Sequence, residues 1–172
     1  MTLRRPLDAL YNAAGILAAL FLVGTLAMVL TAIAGRVLHF HLPGTDAYAG
    51  YCMAAAGFLA LAHTLKHGEH IRVSLVLEHA GARTRRWLEL WSLGVGTLLA
   101  GLFAWFSIRL SYQSWQFNDI STANDATPLW IPQLSMALGC VGFAVAFVHA
   151  LGSRLSGQAF HAAPSGEAAH AD

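Results

Sequence analysis

Residues 9–35 read ALYNAAGILAALFLVGTLAMVLTAIAG and contain no Asp, Glu, Lys or Arg. Three further charge-free intervals follow, at residues 47–65, 90–108 and 126–153. A helix rises about 1.5 Å per residue, so about 20 residues cross a hydrocarbon core of roughly 30 Å. Because lipid cannot hydrogen-bond an open backbone, each interval predicts a transmembrane helix. We therefore predict an all-α integral membrane protein with four transmembrane helices, spanning about residues 10–35, 47–66, 88–109 and 129–152.

The composition of the chain agrees with a membrane location. Of the 172 residues, 56% are hydrophobic and 11% are charged, whereas soluble domains carry about 25% charged residues. A soluble protein with four such intervals would have too few polar residues to form its surface. The net charge of +1 argues against a nucleic-acid-binding protein that works through a broad basic surface. Cys52 and Cys140 are the two cysteines, and they form neither a disulfide framework nor a CxxC redox motif.

The first interval has a second interpretation, since Arg4 and Arg5 precede it and residues 32–34, AIA, resemble a signal-peptidase site. The apolar segment of a secretory signal is about 7–15 residues long. The interval here is much longer, which favours a retained signal-anchor helix over a cleaved signal peptide.

The distribution of Lys and Arg predicts the orientation of the chain. Eight of the ten lie in alternate non-membrane segments, at Arg4, Arg5, Lys66, Arg72, Arg83, Arg85, Arg86 and Arg154. The positive-inside rule therefore places both termini and the middle loop in the cytoplasm. Trp87 and Trp91 are then anchors at the cytoplasmic interface, and Trp115 and Trp130 are anchors at the opposite interface.

The segments outside the spans differ in character. Residues 109–125 form a polar loop, in which Asp119 and Asp125 are either solvated or in contact with a partner. Pro128 and Pro132 are expected at or before the first turn of the last helix, where a missing N–H costs little. Residues 156–172 are rich in Ala, Gly, Ser and His without periodicity, and we predict a disordered cytoplasmic tail after a single domain of residues 1–155.

Residues 70–86, between the second and third spans, predict an amphipathic arm helix. Apolar residues recur there at spacings of three and four, at Val73, Val76, Leu77 and Ala80. A basic amphipathic helix between two spans is typical of an arm that lies parallel to the membrane surface. An ordinary cytosolic helical hairpin is the alternative.

Nine histidines raise the question of haem or metal binding. His63 and His149 lie at the cytoplasmic ends of the second and fourth spans, a placement that would suit a b-type cytochrome or a quinone-linked membrane anchor. Each is a single histidine without a Gly-rich surround, and interface histidines commonly bond backbone or water instead. The spacing of His67, Glu69 and His70 does not place all three on one helical face, which argues against a metal cluster.

The predicted spans contain no Asp, Glu, Lys or Arg, although transporters and channels place ionisable residues inside the membrane. Small residues at a spacing of four permit close packing of helices instead, at Ala56–Ala60, Gly96–Ala100–Ala104 and Gly142–Ala146–Ala150. We therefore expect a protein that binds and braces, with no catalytic residue, cofactor or metal. A small channel or exporter that acts alone is the remaining alternative.

Two motifs carry a resemblance to a known family. Residues 57–62, GFLALA, and 66–73, KHGEHIRV, look like the region after the second helix in the DctQ family, the small permease subunit of tripartite ATP-independent periplasmic (TRAP) transporters. The family has a G-x-H-I-R-V-D run there, and Ser74 stands at its often acidic last position. Residues 127–133, TPLWIPQ, resemble the start of the family's last helix. The resemblance covers roughly residues 10–155.

The resemblance implies an accessory subunit of an ion-coupled symporter in the bacterial inner membrane. The large permease subunit of such a system carries the organic-acid-type solute and the ion, and a periplasmic solute-binding protein delivers the solute. The small subunit acts as a scaffold for the large subunit and contacts membrane lipid. Glu69, His70 and Arg72 are then candidates for arm or partner contacts, and three arginines are candidates for contact with lipid headgroups: Arg83, Arg85 and Arg86.

Overall fold

A computed structural model describes residues 4–40, 42–67, 81–123 and 125–156. It contains four long helices in these ranges: α1 Arg4–Val37, α2 Thr45–His67, α3 Ala82–Gln116 and α4 Trp130–Leu155. All four are long and apolar enough to cross a membrane, which confirms the prediction of an all-α protein with four spans. The predicted arm and the predicted tail fall largely outside the described residues, so both stay predictions.

Helix α3 is longer than the charge-free interval that predicts it. It has 35 residues and continues seven residues beyond Arg109, to Gln116. Its length is about 52 Å, against roughly 30 Å for a hydrocarbon core. Arg109 therefore marks the edge of the hydrocarbon layer and not the end of the helix. The helix continues because its backbone gains nothing by unwinding in the headgroup layer. The polar loop is correspondingly shorter than residues 109–125.

Three extensive helix–helix interfaces determine the architecture. Helix α1 packs against α2, α2 packs against α4, and α4 packs against α3. The helices therefore follow the spatial order α1–α2–α4–α3, with α1 and α3 at the two sides of the assembly. We call the end that contains the α1–α2 and α3–α4 loops the loop end. The opposite end holds Lys66, Arg86 and Arg154, and we call it the basic end.

The buried face of each outer helix follows a heptad-like pattern of three- and four-residue steps. On α1 the buried and half-buried positions include Tyr11, Ala14, Ala18, Phe21, Thr25, Met28, Ala32 and Gly35. On α3 they include Leu93, Thr97, Ala100, Ala104, Ser107, Ser111 and Ser114. This spacing keeps one stripe of a helix facing its neighbour, as in coiled coils. Most of these side chains are small, so the helix axes approach closely.

Glycines permit close approach of the helices, as between α2 and α4. A Cβ atom on Gly139 would lie 2.5 Å from the backbone carbonyl carbon and oxygen of Phe58. Gly96 of α3 similarly faces the ring of Phe147. The predicted small-residue stripes lie in these interfaces, since Ala56, Ala100, Ala104, Ala146 and Ala150 are all buried.

Hydroxyl groups inside the spans bond to the preceding turn of their own helix or to a neighbouring helix. Thr25 and Thr97 donate to the carbonyl oxygens of Phe21 and Leu93, at 3.0 and 2.7 Å. Ser107 of α3 donates to Sγ of Cys140 on α4, at 3.3 Å. A polar group without a partner costs several kcal/mol in hydrocarbon, and these bonds remove that cost.

Replacing Gly139 with Ala tests the α2–α4 interface. The added methyl overlaps the backbone of Phe58, and we expect G139A to destabilise the protein by about 1–3 kcal/mol, the usual cost of overpacking. The measurement is reversible unfolding in mixed micelles. The control is G101A, because a Cβ at Gly101 meets nothing within 4 Å. Equal stability of the two variants would contradict the close approach.

Candidate functional site

A cluster of hydroxyl groups surrounds one carboxylate at the loop end. The hydroxyl of Tyr51 is hydrogen-bonded to Oγ of Ser121 at 2.9 Å and to Oδ2 of Asp125 at 3.0 Å, and the carboxylate oxygen is the acceptor of its single proton. Thr127 donates to the hydroxyl of Tyr48 at 3.2 Å. We call these five residues the loop-end cluster. It joins the first turns of α2 to the α3–α4 loop, across 70 to 79 residues of sequence.

The geometry of the α3–α4 loop presents these side chains. The backbone N–H of Ser121 donates to the carbonyl of Thr127, and that of Leu129 donates to the carbonyl of Asp119, both at 2.9 Å. A β-bridge between Ile120 and Pro128 closes the loop between these bonds. The loop is thereby held as a narrow hairpin, and its tip is brought against α2.

The α1–α2 loop also packs on the loop-end cluster. Gly44 has a φ of +83°, a backbone conformation that suits glycine. A Cβ atom at Gly44 would lie 2.8 Å from Cβ of Asp125. Asp125 is therefore the point at which the two loops and α2 meet.

The surroundings of Asp125 favour its charged form. Its pKa is lowered from 3.8 to about 2, chiefly by the hydroxyl of Thr127, with Ser121 and Tyr51 adding to the effect and burial opposing it. The carboxylate is ionised at neutral pH. Its location makes it a structural acid that fixes the loop, whereas Asp119 is exposed on the same loop.

A groove of about 470 Å³ lies beside this cluster, between the end of α1 and the start of α2. Arg36, His39 and Asp46 contribute its charged and titratable side chains. The guanidinium of Arg36 lies 4.0 Å from the carboxylate of Asp46, and both side chains are about four-fifths exposed (79% and 84%). Such an exposed pair adds little stability, so both groups are accessible to a partner.

A second polar cluster lies near the basic end, between α1 and α2. Tyr11 is fully buried, and Nδ1 of His63 lies 3.2 Å from its carbonyl oxygen. The ammonium of Lys66 lies 5.6 Å from the centre of the Tyr11 ring, in a cation–π contact. A Cβ on Gly15 would lie 2.8 Å from the ring of His63. His63 is therefore a packing residue of the α1–α2 interface.

An ion pair between Arg154 of α4 and Glu89 of α3 completes the basic end. The two helices run in opposite directions, and the ion pair shows that Glu89 and Arg154 lie at the same level along them. The rings of Phe143 and Phe147 also meet near this end, edge to face at 4.8 Å between centroids.

 

Near the basic end, the aromatic residues Tyr11, Phe143 and Phe147 pack together around Ala62, Leu65 and Ala146. They form an apolar cluster between α1, α2 and α4, directly beside the polar contacts of His63 and Lys66.

The residues singled out from the sequence are only partly within the described chain. Glu69, His70 and Arg72 lie outside it, so their roles stay predictions. Arg83 and Arg85 belong to the first turn of α3, but nothing is described of their side chains. Three predicted anchors are more than half exposed and lie toward the two ends of α3, namely Trp87, Trp91 and Trp115, while Trp130 is half-buried at the start of α4.

The structure gives no support to haem binding. Nδ1 of His63 is engaged with the backbone of α1, and His149 is half-buried on α4. Within the described residues, no group of three or more His, Cys, Asp or Glu side chains is arranged to hold a metal ion.

Four residues of the loop-end cluster were not predicted from the sequence: Tyr48, Tyr51, Ser121 and Thr127. The pattern that could have indicated them is the pair of tyrosines about one helical turn apart at the start of a span.

Comparison with known protein families identifies a matching family model. The family model described as "Tripartite ATP-independent periplasmic transporters, DctQ component" matches residues 25–157. This range includes α2, α3 and α4 entirely and the last 13 residues of α1. No curated protein and no solved structure matches the chain.

The lowered pKa of Asp125 makes the loop end sensitive to acid. A carboxyl group with a depressed folded-state pKa stabilises the fold above its ordinary pKa of 3.8, and this contribution is lost as the pH falls toward about 2. We expect D125N to be less stable than the wild type at pH 6 and to lose less stability between pH 4 and pH 2. The measurement is unfolding in micelles across this range.

Asp119→Asn is the matched control, since Asp119 is exposed on the same loop. It should keep the stability and the acid response of the wild type. If D125N and D119N have the same pH profile, the loop-end cluster does not hold the loop.

Proposed function

Because the chain belongs to the DctQ family of TRAP transporter components, we propose that it is the non-catalytic small membrane subunit of an ion-coupled TRAP-type transporter. In this role it braces the large permease subunit in the bacterial inner membrane. The large subunit moves an organic-acid-type solute by symport, and a periplasmic binding protein delivers that solute. The family match over residues 25–157 is the observation that carries the proposal.

The interior of the helix assembly supports a role without transport chemistry. The interfaces between the helices consist mainly of Ala, Gly, Ser and apolar side chains. The charge-free intervals contain no Asp, Glu, Lys or Arg, the residues that mark ion and solute pathways. On this proposal, the solute and the coupling ion bind to the large subunit, and the small subunit supplies a closely packed support.

The arrangement of the helices also suits an anchor. Because α1 and α3 lie at the two sides, each presents a broad apolar surface away from its neighbour. Many large side chains on these two surfaces are more than half exposed, including Ile16, Leu22 and Val23 on α1 and Leu98 and Trp105 on α3. Such surfaces are compatible with lipid or with the helices of a larger subunit.

The orientation that we propose has both termini in the cytoplasm. Lys66, Arg86 and Arg154 lie at the basic end, whereas Arg36 and Arg109 lie toward the loop end. The positive-inside rule therefore assigns the basic end to the cytoplasm and the loop end to the periplasm. In this orientation, the loop-end cluster and the groove beside it face the binding protein.

The segment between α2 and α3, together with the start of α3, is proposed to hold the subunit at the cytoplasmic surface. Arg83, Arg85 and Arg86 would pair with anionic headgroups, each worth about 1 kcal/mol near the membrane surface. Glu69, His70 and Arg72 would fix the arm or contact the large subunit. The family motif at residues 66–73 supports this assignment.

Deletion of the chain tests the proposal directly. We expect solute uptake by cells that retain the large subunit and the binding protein to fall to background, because the large subunit loses its support. The measurement is uptake of radiolabelled solute, and the control is re-expression of the G101A variant, which should restore uptake. Full uptake without the chain would refute the proposal.

A charge reversal at Arg72 tests the arm. We expect R72E to lower the yield of the complex with the large subunit, while R72K, which keeps the positive charge, retains it. Co-purification of the two subunits measures the effect. If R72E gives the same yield and uptake as R72K, Arg72 has no role in assembly.

A further inference from the structure

The groove of about 470 Å³ beside the loop-end cluster carries opposite charges on its two helices. Arg36 lies in the last turn of α1, and Asp46 lies in the first turn of α2. Among the described residues that line the groove, these two are charged and His39 is the other titratable one. We call it the α1–α2 groove.

Each of the two charges is stabilised by its own helix. A cation is favoured at the carboxyl end of a helix and an anion at the amino end, because the unpaired backbone groups there carry partial charges of the opposite sign. Arg36 and Asp46 therefore do not depend on each other. They lie 4.0 Å apart, and both side chains are exposed, so a ligand can replace their weak contact at little cost.

The backbone of the α1–α2 loop shapes the groove before any ligand binds. The N–H of Phe40 donates to the carbonyl of Gly35 at 3.0 Å, which folds the loop back onto the end of α1. His39 and Gly44 have φ values of +58° and +83°, in the left-handed region that lets the chain turn sharply. Ala123 of the α3–α4 loop adds to the lining. The groove is therefore largely preformed, as binding sites for small groups usually are.

The position of the groove along the helices places it among lipid headgroups. Its lining includes Ala32 and Gly35, which belong to the charge-free interval of residues 9–35. Arg36 and Asp46 are the charged residues that border this interval and the next one. Because the charge-free intervals mark the hydrocarbon core, the charged part of the groove lies just outside the core, at the depth of phospholipid phosphates.

We propose that the α1–α2 groove binds the headgroup of one phosphatidylethanolamine molecule. The guanidinium of Arg36 donates to the phosphate oxygens, and the lipid ammonium donates to the carboxylate of Asp46, so both contacts are charge-assisted. The phosphate and the ammonium are separated by one ester oxygen and two carbons, which is short enough for both to enter one groove. The site needs only insertion in a membrane, and it is independent of the proposed transporter function.

The pair of opposite charges selects this headgroup among common phospholipids. Phosphatidylglycerol has the phosphate but no cation, and the carboxylate of Asp46 repels its net negative charge. Phosphatidylcholine has a quaternary ammonium without an N–H, which cannot donate to a carboxylate. Free O-phosphoethanolamine has the same two charged groups as the lipid. It lacks the acyl chains that hold a headgroup at this depth.

Native mass spectrometry of the full chain in maltoside micelles at neutral pH tests the proposal, with palmitoyl-oleoyl phosphatidylethanolamine and phosphatidylglycerol as titrated lipids. We expect the wild type to bind the first phosphatidylethanolamine more tightly. D46N should bind it about fivefold more weakly, the loss expected for one exposed hydrogen bond to a charged group, without weakening phosphatidylglycerol. R36Q should weaken both lipids, since both carry the phosphate.

Matched controls exist for both variants. Asp119 and Arg109 are exposed toward the loop end and do not line the groove, so D119N and R109Q should bind both lipids as the wild type does. Unchanged helical content of D46N and R36Q verifies that they fold.

Three results would overturn the proposal. The first is equal affinity of the wild type for the two lipids, and the second is equal phosphatidylethanolamine binding by D46N and D119N, since the lipid would then be annular. The third is displacement of the lipid by an equal concentration of free O-phosphoethanolamine, which would make the occupant a soluble zwitterion.

Discussion

The hydrocarbon core of a membrane accepts no unpaired backbone group, and the structure of this chain depends on that constraint. Each span must be a complete helix, so the chain gains its tertiary structure from the side-chain faces alone. These faces cannot use the hydrophobic effect, since lipid tails are as apolar as leucine. Close approach through small residues takes its place, as at Gly139 against Phe58.

Within the described residues, the contacts of charged side chains lie where the constraint relaxes. The loop-end cluster and the Glu89–Arg154 pair lie toward the two ends of the helices, where water and headgroups are near. Both join elements that are distant in sequence. The membrane-spanning middle therefore determines how closely the helices pack, whereas the ends determine which helices are held together.

Much of the fold could be predicted from the sequence, because charge is excluded from lipid whatever the tertiary structure. The four spans follow from this exclusion alone. The spatial order α1–α2–α4–α3 does not, since small residues occur on several faces of the helices and do not identify their partners. The continuation of α3 beyond Arg109 was missed because a charge-free interval measures the hydrocarbon core and not the helix. The contact of Tyr51 with Asp125 was missed because it joins residues 74 positions apart and follows no periodicity.

The spatial order of the helices has a consequence for biogenesis. Helices α1 and α2 are neighbours in both sequence and space, and so are α3 and α4, which means that each pair is a helical hairpin formed from local contacts. Joining the hairpins requires the contact of α2 with α4, across the segment between α2 and α3. We therefore expect insertion of the chain to divide into two early local steps and one late step between preformed halves, with the glycine-mediated interface between α2 and α4 in the late step.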